Sequence, residues 1–249
     1  MKIPPRSLRS LPPGGRVSRS GRPFPPDMDW QALTLSLKLA GCTVAILLPV
    51  GLLAGRALAW RRFRGRRLAE AALALPLVLP PTVLGYYLLS AFGTRGTLGR
   101  AFEALAGHPL AFSFAGLLVA SVIFNLPFAI QPMQRAFEAI PADVRPAAAC
   151  CGMSPWRIFA DIELPLAWPG VLSALVLTFA HTLGEFGVVL MVGGNIPGET
   201  RTLAIAIYDR VQAFDTRAAG LMAAMLLVLS LIAIAIAYST QWRTEPARG

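Results

Sequence analysis

The dominant pattern along the chain is a series of five long apolar segments separated by shorter polar stretches. A helix needs about 20 consecutive apolar residues to cross the hydrocarbon core of a bilayer, and each segment reaches that length. We therefore predict an all-α polytopic membrane protein with five transmembrane helices. The segments cover residues 33–60, 71–92, 109–134, 166–191 and 218–242.

Two stretches need separate interpretation. The second segment contains Pro76, Pro80 and Pro81, which would end a helix in a soluble protein. In a membrane bundle, neighbouring helices and local adjustments satisfy the freed carbonyls, so we predict one span over 71–92. A further helical pattern at 202–214 is too short to span, and we interpret it as an interfacial or re-entrant helix.

Composition supports the membrane class and argues against nucleic-acid binding. Hydrophobic residues make up 55% of the chain and charged residues 14%, whereas soluble domains carry about 25% charged residues. Much of the net charge of +10 flanks an apolar segment, as topogenic basic residues do. Cys42, Cys150 and Cys151 provide neither a disulfide framework nor metal-ligand spacing. We expect no cofactor bound by this chain.

The distribution of arginines predicts the orientation in the membrane. Basic loops remain on the cytoplasmic side, and five arginines directly follow the first apolar segment. Alternation then places the loop 135–165 and a short tail, 244–249, in the cytoplasm. The N-terminus, residues 93–108 and residues 192–217 lie outside. The five arginines are Arg61, Arg62, Arg64, Arg66 and Arg67.

The N-terminal stretch 1–27 is rich in proline and basic residues and shows no apolar periodicity. It cannot bury a core, so we expect it to be disordered, and it lacks the apolar region of a signal peptide. Its basic residues cancel the charge bias that orients the spans. Either translation begins at Met28, or the arginine cluster overrides a genuine tail. Residues 28–243 form a single transmembrane domain in both cases.

The loop 139–165 contains start and stop signals typical of two helices joined at a glycine. Asp143 is placed to cap a short helix over 146–151, and Gly152 supplies a left-handed stop. Ser154 then caps a second helix that begins at Pro155. Ala148 and Gly152 are four residues apart, which predicts a helix face almost bare of side chains. Such a face allows close approach by another protein.

This loop resembles the EAA loop of ABC-importer permeases. The matching positions are Ala147, Ala148, Gly152, Ile162, Leu164 and Pro165. The resemblance implies a coupling helix that docks in a groove of a cytoplasmic ATPase. Pro146 departs from the pattern, which has glutamate there, but proline is allowed in the first turn of a helix. The competing interpretation is an ordinary amphipathic loop with coincidental spacing.

Further strings resemble the molybdate permeases, with sulfate and thiosulfate permeases as relatives. They lie at 75–81, 183–187 and 195–202. The resemblance implies the type I ABC importer permease fold, a permease homodimer, two ATPase copies and a periplasmic oxyanion-binding protein. It also implies alternating access driven by ATP. It does not separate molybdate from tungstate, nor exclude sulfate.

Polar residues inside the predicted spans are candidates for a translocation path or gate. They are Asn125, Thr178, Thr182 and Glu185. A carboxylate would repel an oxyanion, so we favour a structural or gate-forming hydrogen bond for Glu185. Its spacing from His181 permits a pair on one helix face. Asn125 is interpreted mainly as a contact between helices.

Outside the membrane, Arg201 and Arg210 have two interpretations. They either contact the binding protein and attract the anion, or pair with Glu199 and Asp209 in a solvated loop.

Two functions from other classes fit the sequence less well. A membrane-embedded enzyme needs a nucleophile with a base, paired carboxylates or a metal cluster, and the sequence shows none of these patterns. A membrane scaffold would not require the loop around Gly152. The sequence also lacks a nucleotide-binding Gly-Lys-Ser/Thr loop, so ATP hydrolysis would come from a partner.

Overall fold

The computed structural model describes residues 28–241, and the predictions for 1–27 and 244–249 lie outside this range. The described residues form helices joined by loops, with no strand among them. The helices are α1 (Trp30–Trp60), α2 (Arg66–Val78), α3 (Pro81–Phe92), α4 (Thr97–Ala106), α5 (Phe114–Glu138), α6 (Val144–Cys150), α7 (Pro155–Arg157), α8 (Leu164–Gly184), α9 (Gly187–Gly193), α10 (Leu203–Gln212) and α11 (Thr216–Gln241). A π-helical segment, Ile158–Glu163, joins α7 to α8.

Four helices in the described range are long and apolar enough to cross a membrane. They are α1, α5, the continuous helix Pro155–Gly184 and α11. The pair α2 and α3 provides a fifth crossing if the two are counted as one broken span. The all-α polytopic fold predicted from the apolar segments is therefore confirmed.

The prediction of one unbroken helix over 71–92 is wrong. α2 and α3 meet at an angle of 108°. Leu79 is extended, with ψ at 136°, because the ring of the following proline disfavours helical backbone there. Pro81 then occupies the first position of α3, where its missing N–H is not needed. The two consecutive prolines thus end one helix and begin another.

The fourth apolar segment is also broken, whereas 166–191 was predicted as continuous. α8 ends at Gly184, and Glu185 is extended with ψ at 128° before α9 begins. α9 packs closely on α3. A Cβ atom built on Gly187 would lie 2.8 Å from Pro81 Cβ, and one on Gly85 would lie 2.8 Å from Met191 Cβ. The two glycines allow this close approach.

The remaining boundaries shift more modestly. α5 begins at Phe114 rather than 109 because Ser113 caps it, with the Gly116 amide 3.1 Å from Ser113 Oγ. The short helix predicted at 202–214 is present as α10. α4 was not predicted and lies in the segment 93–108, for which the sequence predicted only a location outside the membrane.

The core of the molecule is formed by α1, α5 and α8. Glycines bring α1 against α5, since a Cβ on Gly55 would lie 2.9 Å from the Gln134 backbone nitrogen. Gly51 lies one turn earlier on the same face, facing Met133. Fully buried apolar side chains fill the space between the helices, namely Leu39, Leu47, Leu117, Met133, Phe137 and Val171.

Polar contacts fix α2 to the end of α5. Arg66 Nη2 lies 2.9 Å from Glu138 Oε1, and Arg66 Nε lies 2.9 Å from Glu70 Oε1. Gln134 donates to both of these carboxylates, at 2.9 Å and 3.1 Å. Several exposed arginines of the 61–67 cluster lie beside this network.

Candidate functional site

The predicted coupling loop begins with α6, which starts at Val144 and not at 146. Asp143 occupies the N-cap position, but its side chain accepts no capping hydrogen bond because its own backbone is helical, with φ −81° and ψ −22°. Pro146 lies in the first turn of α6, where the missing N–H has no intrahelical partner to lose. The helix therefore tolerates the proline at this position, as predicted.

Gly152 ends α6 in the left-handed conformation predicted for it, with φ at +78°. The Met153 amide donates to the Ala148 carbonyl at 3.2 Å, and the Gly152 amide donates to the Ala149 carbonyl at 3.0 Å. These two bonds form a Schellman motif, which satisfies carbonyls at the helix end. Among the described residues, no atom lies within 4 Å of a Cβ built on Gly152, so this end of α6 is open in the described structure.

The outward face of α6 differs from the predicted one. Ala148 is 7% exposed and packs against the bundle, so it does not share an outer face with Gly152. The exposed positions at this end of the helix are Ala147, Ala149, Cys150 and Cys151, together with Gly152. All five residues are small, so a surface that allows close approach is present. It lies on a different face of α6 from the predicted one.

The helix after the glycine begins as predicted and then continues into the membrane span. Ser154 Oγ accepts from the Arg157 amide at 3.4 Å, and Pro155 takes the first helical position. The helix continues through the π-helical segment into α8, where the Leu164 amide donates to the Phe159 carbonyl. Ile162 and Leu164 are half-buried there, and Pro165 is exposed. The second helix of the loop and α8 therefore form one continuous helix, Pro155–Gly184.

Sequence reasoning missed Glu163, the unassigned position between Ile162 and Leu164. Its side chain is fully buried and forms ion pairs with Arg56 and Arg145. The sequence did contain one signal for this residue, a carboxylate flanked by apolar residues next to a span. A carboxylate that is buried at such a position requires a charged or hydrogen-bonding partner. The identity of those partners depends on the fold and could not be derived from spacing.

Asn125 and His181 form a contact between α5 and α8. Asn125 is fully buried, its amide donates to the Ser121 carbonyl at 2.8 Å, and its Oδ1 lies 3.1 Å from His181 Nδ1. The His181 ring stacks on Phe128, with centroids 3.8 Å apart. The pair between His181 and Glu185 that spacing permits is not formed, because α8 ends before Glu185.

Glu185 lies at the break between α8 and α9 and is 8% exposed. Its Oε1 accepts from the Val188 amide at 2.8 Å. The carboxylate therefore satisfies a free amide at the start of α9, which has no intrahelical acceptor. This contact supports a role in holding the break between the two helices.

Thr178 and Thr182 lie on consecutive turns of α8 and are both buried. Thr182 Oγ1 donates to the Thr178 carbonyl at 2.8 Å, whereas Thr178 Oγ1 has no hydrogen-bond partner among the described residues. Within 28–241, no group of three or more His, Cys, Asp or Glu side chains could hold a metal ion.

The loop before α10 is ordered by polar contacts around Arg201. Its Nε donates to Asn195 Oδ1 at 2.6 Å, and Asn195 Nδ2 donates to Asp209 Oδ2 at 2.6 Å. Arg201 also lies 3.7 Å from Asp209. Arg210 pairs with Asp215 at 3.4 Å. The predicted pairing with Asp209 is thus present for Arg201, whereas the acidic partner of Arg210 is Asp215.

Comparison with known proteins identifies the class of the chain. Residues 48–242 match the family described as the inner membrane component of binding-protein-dependent transport systems. The chain belongs to this family. It is therefore a multi-pass inner-membrane permease, and the membrane class predicted from the apolar segments is confirmed.

Two relatives and one solved structure extend this result. The chain is 46% identical over 213 residues to the molybdenum transport system permease protein ModB of Azotobacter vinelandii, covering 86% of this chain and 94% of that protein. It is 40% identical over 186 residues to the ModB of Escherichia coli strain K12, covering 75% and 81%. A bacterial ABC transporter that imports alginate superimposes with a TM-score of 0.70 at 15% identity, covering 86% of this chain and 79% of that chain. The type I importer fold is thus confirmed.

The hydrogen bond from Val188 to Glu185 predicts a graded response to substitution. Glu185→Gln should retain most transport, because an amide oxygen accepts from the same N–H. Glu185→Leu removes the acceptor, and an unpaired buried amide costs about 1–3 kcal/mol. We expect a lower melting temperature in detergent for the leucine variant only. A glutamine variant of normal stability that loses all uptake would show instead that the charge is required.

Proposed function

We propose that this chain is the permease subunit of an ATP-driven importer that carries molybdate into the cell. The observation that carries the proposal is the 46% identity to a molybdenum permease over 94% of that protein's length. The family match over residues 48–242 includes both the coupling loop and the outer loop. Tungstate has similar chemistry, and we treat it as an alternative cargo of the same site.

The geometry of α6 supports a partner ATPase on this side of the bundle. Its exposed small side chains allow close approach, and the Schellman motif holds the loop in one conformation. The sequence contains no nucleotide-binding loop of its own. We therefore assign ATP hydrolysis to two ATPase copies that dock on a homodimer of this permease.

The opposite side of the bundle receives the anion from a periplasmic binding protein. The family description, which names binding-protein-dependent systems, supports this partner. The loop that contains Asn195 and Arg201 is ordered by internal bonds and presents a fixed surface there. We place the N-terminus on this side and the C-terminus in the cytoplasm.

The proposed mechanism is alternating access between two states of the dimer. ATP binding closes the ATPase pair and moves α6, and the loaded binding protein favours the outward-open state. α6 is followed by one continuous helix that runs from Pro155 into the fourth span. Movement of α6 is therefore transmitted to the membrane interior. The breaks at Leu79 and Glu185 provide positions at which the helices can change their relative angle.

Uptake in cells tests the choice of cargo. The chain, expressed with its own ATPase and binding protein in bacteria that lack molybdate import, should restore uptake of labelled molybdate at submicromolar concentration. Unlabelled tungstate should compete, and excess sulfate should have little effect. Restored sulfate uptake without molybdate uptake would assign the chain to the sulfate relatives instead.

The proposed orientation predicts a labelling pattern. In a variant without native cysteines, Arg64→Cys should react with an impermeant maleimide only after permeabilisation, because it belongs to the cytoplasmic arginine cluster. Leu105→Cys, at a position that is 91% exposed, should react in intact spheroplasts. We avoid Gly65, whose φ of +93° disfavours any side chain. The reverse labelling pattern would contradict the proposed topology.

A further inference from the structure

The buried carboxylate of Glu163 connects three separate parts of the chain. Glu163 lies in the π-helical segment, with its side chain fully buried. Both of its oxygens accept from the Arg56 guanidinium on α1, one of them from Nη2 at 3.2 Å. Arg145 on α6 places Nε 2.6 Å from Glu163 Oε1, as an ion pair rather than a directed hydrogen bond. One carboxylate thus contacts α1 and α6 simultaneously.

Aromatic rings strengthen the same connections. The Arg145 guanidinium lies over the Trp60 ring of α1, 4.7 Å from its centroid. The Arg56 guanidinium lies over the Phe159 ring of the π-helical segment at 5.2 Å. Each arginine therefore contacts a carboxylate and an aromatic face, a combination that suits the planar guanidinium.

Apolar packing holds α6 through few residues. Among residues 144–150, only Ala148 is buried, and the half-buried Val144 packs against the core cluster that contains Met133 and Phe137. A cleft of about 500 Å³ separates the loop from the end of α1, and its lining includes Trp60, Arg145 and Pro146. The Arg145 side chain crosses this region to reach Glu163 and Trp60. The Arg145 side chain therefore connects α6 to the π-helical segment and to the end of α1.

The two arginines are not equivalent. Arg56 binds the carboxylate through two nitrogens and keeps it paired even without Arg145, which matters because an unpaired buried charge is costly. Arg145 adds a second contact from α6, in which only Ala148 is buried. Loss of Arg145 therefore removes this connection of α6 without leaving Glu163 unpaired.

We propose that Glu163, Arg56 and Arg145 form the link that transmits movement of α6 to the cytoplasmic end of α1. The inference rests on the proposed ATPase-driven function and adds a specific route within this chain. Arg145 and Glu163 are positioning residues, since they act on the spans and do not contact the anion. The route runs beside the covalent one, in which α6 is followed by the fourth span.

The test uses the complete transporter with its ATPase and binding protein. Arg145→Gln should keep the ATPase bound and hydrolysing, but molybdate transported per ATP should fall about tenfold, the size of a typical coupling between sites. Arg145→Lys restores the charge without the planar fork and should recover part of the loss. Arg67→Gln, which removes an exposed arginine of α2, should leave the ratio unchanged. An unchanged ratio in Arg145→Gln would overturn the proposal.

A second readout does not depend on the cargo. Spin labels at Ala149→Cys on α6 and Arg61→Cys beside α1 report the distance between the two elements. In the otherwise unmodified complex this distance should be the same with and without ATP and vanadate, because the elements move together. With Arg145→Gln it should change by more than about 2 Å, the scale of helix shifts in such transitions.

The two readouts separate the possible failures. If the unmodified transporter moves no molybdate but the distance behaves as expected, the cargo assignment fails and the link stands. If Arg145→Gln keeps the distance constant in both nucleotide states, the link is wrong whatever the cargo is. If Arg145→Gln loses the ATPase altogether, Arg145 is a docking residue and the proposal is again overturned.

Discussion

Gly152→Val is expected to abolish the rise in ATP hydrolysis that loaded binding protein causes, while membrane insertion and dimerisation of the permease remain intact. Gly152 has a φ of +78°, a conformation that costs a residue with a Cβ atom about 1–2 kcal/mol. Valine adds a β-branched side chain, which is more restricted. The two bonds of the Schellman motif then weaken, and the end of α6 changes shape.

The open space around Gly152 makes this test specific. No atom of residues 28–241 lies within 4 Å of the added Cβ, so valine causes no clash inside the bundle. Its branches instead project from the surface proposed to meet the ATPase. The variant should therefore purify as a stable permease that no longer retains its ATPase.

Matched variants at Gly152 and at neighbouring positions provide controls for the size of this effect. Gly152→Ala should have a milder effect, and Met153→Ala should be nearly silent because alanine keeps the backbone N–H that reaches Ala148. Pro146→Glu, which restores the family residue, should be neutral or strengthen docking slightly. ATPase activity and co-purification are measured for each. If Gly152→Val couples like the unmodified protein, this loop is only a connector.

Gly55→Ala should lower the melting temperature of the permease in detergent more than an alanine at either of the other two glycines in α1. The added Cβ would lie 2.9 Å from the Gln134 backbone nitrogen and 3.2 Å from the Met133 carbonyl carbon. Backbone atoms cannot rotate away, so α1 and α5 must separate. Overpacking of this kind lowers the free energy of unfolding by about 1–3 kcal/mol. The larger side chain in Gly55→Leu should prevent the helices from packing together.

Two other glycines of the same helix serve as controls. A Cβ on Gly51 meets the Met133 sulfur at 2.6 Å, and this flexible side chain can move, so Gly51→Ala should cost less. A Cβ on Gly41 meets no atom of another part of the described chain within 4 Å, and Gly41→Ala should be neutral or slightly stabilising. Size-exclusion chromatography after heating gives the order of stability. Equal melting temperatures for all three variants would contradict the close contact between α1 and α5.

The sequence predicted which segments cross the membrane but not where they break. Hydrophobicity over a window of about 20 residues detects a span whether or not the helix is continuous. At Pro80 and Pro81 the local rule for residues before proline was correct, and the expectation that the bundle would keep the helix intact was wrong. At Glu185 no such marker is present. The break there coincides with packing of Gly187 on Pro81, a contact between distant segments.

In the candidate site, too, local features were predictable from the sequence and contacts between distant segments were not. The helix-end conformations of Gly152, Ser154 and Pro155 were predicted correctly, because helix caps depend on residues within one or two turns. The contacts of Glu163 with Arg56 and of His181 with Asn125 join residues 107 and 56 positions apart. Spacing along one helix instead suggested a pair between His181 and Glu185. Such polar contacts become visible only when the helices are packed.

The central claim is that this permease imports molybdate by coupling to ATP and a binding protein. Proteoliposomes that contain the permease and its ATPase, with loaded binding protein outside and ATP inside, test it most directly. We predict that labelled molybdate accumulates only when both ATP and the binding protein are present. Accumulation that is equally fast without ATP, or none when every component is present and the ATPase is active, would contradict the account.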